Sequence, residues 1–182
     1  MIVVNFSKKI QSINDAENMV VAVDALYQQN MKFPRKEKIS LATTDPKIAA
    51  NFSDYLIFVC PSFAQEILFN DLVPHLKNGQ VIILMPGNYG SLVIQSKLEK
   101  SIYKNLKLTF VDAITIPWAT QLIKKNKIAI LGIKEYLPLS IWPKENSDKI
   151  FKDLQSFLPI PPKLLPNLIM SCLEILILAG NL

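Results

Sequence analysis

The clearest hydrophobic pattern in the chain is a run of five apolar residues, Val81 to Met85, followed at once by turn-forming residues. Such a run is too short for a helix and is typical of a strand that is covered on both faces in a parallel sheet. A helical pattern then starts at Leu92. The residues between them favour tight turns, and they are Pro86, Gly87, Asn88, Gly90 and Ser91.

Further apolar runs predict the rest of a sheet. Tyr55 to Cys60 and Leu106 to Ile114 are expected to be neighbours of the central strand in one sheet. The first of them should run parallel to it, because a helical pattern separates the two strands. An edge strand is predicted over Met1 to Phe6, another strand over Lys127 to Ile133, and an extended segment over Leu137 to Trp142.

Capping signals and apolar spacing predict the helices. Asn14 with Glu17 forms a capping box that opens a helix to about Gln29. Asp45 followed by Pro46 starts a short helix, whereas Pro34 to Lys38 is predicted as a charged loop. Further helices are predicted to start at Ser62, at Leu92 and at Ser147 or Asp148, and the last apolar stretch, residues 162–182, is also predicted as a helix.

Strands that alternate with helices predict an α/β fold, a partial doubly wound, Rossmann-like sheet that is mostly parallel and has flanking helices. The 182 residues suffice for one domain with a sizeable core. We expect this domain over residues 1–160, and an apolar helix over 161–182 that would lead into a missing helical domain.

Composition narrows the function classes. Half of the residues are hydrophobic, which excludes a disordered chain. The net charge of +5 comes from lysines that are scattered along the chain and have acidic partners, so a basic surface for nucleic acid is not predicted. Cys60 and Cys172 lie in apolar surroundings and are predicted to be buried thiols in a reducing, cytoplasmic compartment.

The apolar stretch from Leu164 to Leu178 is shorter than a membrane span and contains Glu174, so we expect no membrane anchor. The sequence contains no metal-ligand cluster and no catalytic carboxylate pair at usable spacing.

The loop after the central strand is the strongest candidate for chemistry. Ligands of open α/β sheets bind at the carboxyl ends of strands, where loops and helix N-termini present backbone N–H groups. Glycines there would let a flat ligand approach the backbone. An ordinary strand-to-helix turn explains the same residues, and both interpretations stay open at this point.

A set of motifs in a fixed order resembles the NAD(P)-binding domain of the octopine/nopaline (opine) dehydrogenase family. The resemblance covers roughly residues 40–158. Asp112 stands where that family often has glutamate, and Gln121 where it often has arginine. The motifs that carry it are Ala42-Thr43-Thr44-Asp45, Tyr55 to Ala64, Pro74 to Gln80, Pro86-Gly87-Asn88-Tyr89-Gly90, Pro117-Trp118-Ala119-Thr120 and Gly132-Ile133-Lys134.

The resemblance implies an oxidoreductase that joins an α-keto acid to an amino-acid amine and reduces the imine with NAD or NADP in its reduced form. It implies small-molecule substrates, with no nucleic acid and no membrane as partner. Trp118 is implied to contact substrate, although simple packing explains it equally well. The positions implied to bind the cofactor are Val59, Pro61, Phe63, Gly87, Asn88 and Gly90.

Two absences predict that this chain is an incomplete or inactive form. No glycine precedes Gly79, so a glycine-rich pyrophosphate turn cannot occur in the first 78 residues, and cofactor binding is expected to be weak or lost. The family's helical catalytic domain has no counterpart either, and His75 is predicted to be structural, so no catalytic residue is assigned.

The alternative is a non-catalytic remnant or interaction module. In either case we expect a homodimer or a complementing chain through the apolar C-terminal helix, weakened by Leu173→Lys.

Overall fold

A computed structural model describes residues 2–4, 19–24, 35–124 and 127–170. The chain divides into two compact units. The first comprises residues 1–52 and 118–134, and the second comprises residues 53–117 and 135–182.

The first unit contains two small sheets and one short helix. A two-stranded parallel sheet pairs β1 with β4, and a four-stranded sheet has the order β3-β2-β9-β8. Helix α1 (Pro46–Phe52) begins as predicted, because Asp45 Oδ1 accepts a hydrogen bond of 2.8 Å from the Lys47 N–H. The strands are β1 (Ile2–Val4), β2 (Met19–Asp24), β3 (Arg35–Lys38), β4 (Leu41–Thr43), β8 (Trp118–Lys124) and β9 (Lys127–Ile133).

Two predictions for the first unit were wrong. The helix expected over residues 14–29 is a strand over its described part, Met19–Asp24. The valines of this segment are stiff, β-branched residues that suit a strand, and the strand pairs in parallel with β9, far along the chain. Arg35–Lys38, expected to be a charged loop, pairs antiparallel with β2. Residues 14–18 and 25–29 lie outside the described ranges.

The second unit is built on one five-stranded sheet of order β11-β10-β7-β6-β5. The pairs β5–β6, β6–β7 and β10–β11 are parallel, and only β7–β10 is antiparallel. This confirms the three predicted neighbours and the α/β, mostly parallel, Rossmann-like class. The strands are β5 (Tyr55–Phe58), β6 (Val81–Leu84), β7 (Thr109–Ala113), β10 (Leu137–Trp142) and β11 (Pro162–Leu164).

The core of the second unit surrounds β6, whose four residues are all buried. Helices α2 (Ser62–Leu72) and α3 (Gly90–Glu99) connect β5 to β6 and β6 to β7, and an ion pair between Glu66 and Lys97 joins them. Helix α4 (Ser147–Phe157) packs against β10 and β11. Short 3-10 helices occupy Val73–His75 and Lys144–Asn146.

The two ends of this sheet differ from the prediction. Although β5 comes from a continuous apolar run, which is typical of a buried strand, it is at the edge of the sheet, and Ile57 is 45% exposed. The C-terminal helix, expected from Pro162, cannot begin there because Pro162–Leu164 pairs with β10. A helical turn does start at Leu168, where the Asn167 side chain accepts a hydrogen bond from the Met170 N–H. Residues 171–182, including Cys172 and Leu173, lie outside the described residues. In the described part of the chain, no helix has the length and apolarity needed to cross a membrane.

A hydrogen bond ties the edge strand to α4. The Tyr55 hydroxyl donates to Asp153 Oδ2 at 2.5 Å, and the Tyr55 ring meets Phe157 edge to face. We expect Tyr55→Phe to lower the free energy of unfolding by about 1 kcal/mol, because it removes the hydrogen bond and keeps the ring contact. Urea denaturation measures this loss, with Tyr103→Phe as the control. An equal effect of the two changes would contradict the assignment.

Candidate functional site

The candidate site lies at the edge of the second unit where β5 and β6 end. The two strands are parallel, and Phe58 is in register with Leu84, so their carboxyl ends meet at the same edge of the sheet. The Met85 N–H continues this pairing with a hydrogen bond of 3.0 Å to the Phe58 carbonyl. We call residues 59–63 the β5 turn and residues 86–91 the site loop.

Two side-chain hydrogen bonds join the β5 turn and the start of α2 to the site loop. Asn88 Nδ2 donates to Ser62 Oγ at 3.1 Å, and Gln65 Nε2 donates to the Pro86 carbonyl at 2.6 Å. The structure therefore brings together all six residues predicted to bind the cofactor. Trp118, predicted to contact substrate, is the half-buried first residue of β8 in the first unit.

The surface of this edge combines exposed apolar side chains with polar groups. Phe63 is 81% exposed and Val59 is 63% exposed, so two large apolar side chains are open to solvent here. Pro61 and Asn88 are exposed beside them, whereas Gly87 is buried. A flat, partly apolar ligand could stack on this surface and bond to the polar loop.

The site loop makes a tight turn of the chain before α3. Asn88 and Tyr89 have positive φ values of 49° and 62°, and the Gly90 N–H donates to the Gly87 carbonyl at 2.8 Å. Positive φ at both central positions is the geometry of a type I′ turn. Asparagine tolerates this conformation, but tyrosine adopts it rarely. Surrounding contacts must therefore hold the turn in place.

Two buried side chains supply those contacts from opposite directions. A Cβ atom at Gly87 would lie 2.6 Å from Asp112 Oδ1, and one at Gly90 would overlap the Gln65 side chain. Gln65 and Asp112 are 2% and 1% exposed, respectively. Internal packing thus requires Gly87, and a side chain at Gly90 would have to displace Gln65. The idea that they exist to admit a flat ligand is not needed to explain them.

Asp112 is the residue that sequence reasoning treated only as a departure from the family pattern. Its Oδ2 accepts a hydrogen bond of 2.6 Å from Ser91 Oγ, and the Ser91 N–H donates to the same carboxylate. Burial raises the pKa of Asp112 to about 6, while the hydrogen bonds from Ser91 act in the opposite direction. A lone carboxylate in the apolar run from Phe110 to Ile114 is the sequence signal that could have identified it.

This carboxylate limits what the N-terminus of α3 can bind. Helix N-termini attract anions such as phosphate, because their first N–H groups lack partners inside the helix. Here the Asp112 carboxylate already takes up that position through Ser91. The edge therefore fits the less charged parts of a dinucleotide better than its pyrophosphate.

Two further titratable side chains lie in the second unit, Cys60 within the β5 turn and His75 after α2. Cys60 is a free thiol that is half-buried rather than buried, and burial raises its pKa. His75 is half-buried in the 3-10 helix after α2, and its structural role stays a prediction. Among the residues that the structure describes, no group of three or more histidines, cysteines or carboxylates could hold a metal ion.

Comparison with known proteins identifies relatives over part of the chain, although no family model matches it. The chain is 27% identical over 103 residues to the tauropine dehydrogenase of Arabella iricolor, and 28% identical over 108 residues to the octopine dehydrogenase of Pecten maximus. These matches cover 56% and 58% of this chain. The chain spans only about a quarter of the length of these curated relatives, 25% and 26% respectively.

The fold has solved counterparts. A structure of octopine dehydrogenase with NADH and L-arginine covers 95% of this chain with a TM-score of 0.75 at 17% identity, and this chain covers 44% of it. A structure of yersinopine dehydrogenase covers 94% of this chain with a TM-score of 0.69 at 13% identity, and this chain covers 42% of it. The fold is therefore Rossmann-like and of the kind found in these dehydrogenases. Together with the sequence matches, this confirms the resemblance to the opine dehydrogenase family over part of the chain.

Proposed function

We propose that this chain is an opine dehydrogenase-like oxidoreductase unit that binds NAD or NADP at the edge formed by the β5 turn and the site loop. The observation that carries the proposal is the pair of hydrogen bonds, Asn88 to Ser62 and Gln65 to Pro86, that joins the two segments in which the six predicted positions lie. The relatives support the choice of ligand, because solved neighbours contain NADH or NADP+.

The chain's own groups would position the cofactor rather than carry out the reaction. Phe63 and Val59 offer exposed apolar surface for a ring, and Asn88 offers a side-chain amide next to it. The cofactor, when bound, supplies a hydride. Substrates would be an α-keto acid and an amine, as the neighbours crystallised with pyruvate, L-arginine or agmatine indicate. We assign no catalytic residue in this chain and propose that it is inactive alone. A cytoplasmic location belongs to the same proposal, and the free thiol of Cys60 supports it.

Titration of the purified chain with NADH and with NADPH tests the proposal. We expect dissociation constants weaker than about 1 μM, because a glycine-rich turn for the pyrophosphate is absent from the first 78 residues. Submicromolar binding would show that the phosphate site lies elsewhere. No binding of either nucleotide would favour the alternative, a non-catalytic interaction module.

The location of the site has its own test. Phe63→Ala is expected to weaken NADH binding about threefold to tenfold, because an aromatic contact contributes about 0.5–1.5 kcal/mol. Ile102→Ala is a matched control, since Ile102 is 88% exposed and follows the far end of α3. Calorimetry measures both variants. If Phe63→Ala binds NADH as well as Ile102→Ala does, the ligand does not use this edge.

A further inference from the structure

Helix α3 lacks a cap of its own. Its N-cap residue, Tyr89, makes no side-chain hydrogen bond to the first turn, although the first N–H groups of a helix need acceptors. Asp112 supplies one from strand β7, where it accepts from both the N–H and the hydroxyl of Ser91. The cap therefore comes from a residue 21 positions further along the chain.

The same carboxyl group also fixes the start of the site loop. Its Oδ1, Cβ and Cγ surround the Cα of Gly87 so closely that a Cβ there would lie within 2.7 Å of all three. The Gly87 N–H donates to the carbonyl of the next residue of β7, Ala113, at 2.7 Å. Both ends of the loop are thus attached to the carboxyl end of β7.

One oxygen of the Asp112 carboxylate accepts no hydrogen bond from the described residues. Asp112 Oδ1 is buried and has no hydrogen-bond partner within the described ranges, an arrangement that is costly for a charged carboxylate and less so for a neutral one. The residues that face Asp112 from the packed elements cannot ionise in its range. They are Leu84 on β6, Ser140 on β10, Ser91 on α3 and Gly87 in the loop.

We propose that Asp112 is the positioning residue of the site loop, and that its charge sets how strongly the loop binds an anionic dinucleotide. The inference about binding rests on the proposed function, whereas the inference about loop conformation does not. In the ionised form the carboxylate cancels the positive end of α3 and disfavours an anionic ligand. In the protonated form Oδ2 still accepts from Ser91, the loop keeps its shape, and the opposing charge is gone. Since burial raises the pKa of Asp112 to about 6, this change falls within the range in which proteins can be assayed.

NADH titrations between pH 5 and pH 8 at constant ionic strength test the effect on binding. For the unmodified chain we expect the affinity to fall about fivefold as the pH rises through 6, the size of a charge at a helix terminus. Asp112→Asn should retain the acidic-range affinity at every pH, because its amide keeps the shape and carries no charge. His75→Gln is the control and should follow the unmodified profile. An unchanged pH dependence in Asp112→Asn would overturn the proposal for binding.

A measurement without ligand decides the positioning role. The backbone amide resonances of Gly87 and Gly90 should shift with a midpoint near pH 6 in the unmodified chain, and the shift should vanish in Asp112→Asn. Because the unmodified chain itself is titrated, the test holds even if a variant fails to fold. If NADH does not bind at any pH, the proposed function fails while these resonances still decide the role of Asp112. Resonances that do not titrate would refute that role.

Discussion

Replacing Gly87 with alanine is expected to lower the free energy of unfolding of the second unit by about 1–3 kcal/mol, the cost of overpacking a buried position. The new methyl group would lie 2.6–2.7 Å from three atoms of Asp112. Those atoms cannot give way easily, because β7 is paired with β6 on one side and with β10 on the other. The substitution should therefore displace the site loop.

Tryptophan fluorescence during urea denaturation can measure this loss of unfolding free energy in the second unit. The chain has two tryptophans, and a Trp118→Phe background leaves only Trp142, which stacks on Phe110 in the second unit. Gly132→Ala is the control, because a Cβ at Gly132 meets nothing within 4 Å. It should have no effect or stabilise slightly.

A double-mutant cycle assigns the loss to Asp112. Asp112→Gly removes the three atoms nearest to the new methyl group, so Gly87→Ala should cost less in that background. Equal costs in the two backgrounds would show that the clash is relieved elsewhere.

The strands of the second unit could be predicted from sequence because each has a strong local signal. Val81 to Met85 is a continuous apolar run, a pattern typical of a strand covered on both faces. All five residues are buried in the structure. The cap of α1 is equally local, since Asp45 bonds to N–H groups two and three residues away. In contrast, β2 depends on pairing with β9, more than 100 residues later, so a local pattern could not reveal it.

The position of the candidate site was predictable, but its internal support was not. The turn residues after Val81 to Met85 and the parallel neighbour at Tyr55 to Phe58 place the edge. Gln65 and Asp112, however, reach the site loop across 21 positions of sequence in opposite directions along the chain. Only the packing of α2 and β7 against the loop shows why Gly87 and Gly90 have no side chain. Trp118 stays a prediction, as do the individual contacts to a cofactor.

The contribution of Asp112 to the stability of the second unit is expected to fall as the pH rises from about 4 to about 6. Burial raises the pKa of Asp112 from 3.8 to about 6, and the hydrogen bonds from Ser91 offset this only in part. The folded state therefore holds the proton more tightly than the unfolded state. The resulting stabilisation is complete below pH 3.8 and is lost by the time the pH passes 6. A pKa difference of this size corresponds to a free energy on the order of 3 kcal/mol.

Comparison of the unmodified chain with Asp112→Asn isolates this contribution, because the other carboxylates titrate equally in both. Urea denaturation at pH 4, 5, 6 and 7, read through Trp142, gives the difference in unfolding free energy at each pH. Relative to the unmodified chain, the unfolding free energy of Asp112→Asn should show a gain on the order of 3 kcal/mol between pH 4 and pH 7. His75→Gln should show no such gain. Parallel curves for the unmodified chain and Asp112→Asn would mean that the carboxyl group has an ordinary pKa when folded, and they would contradict this prediction.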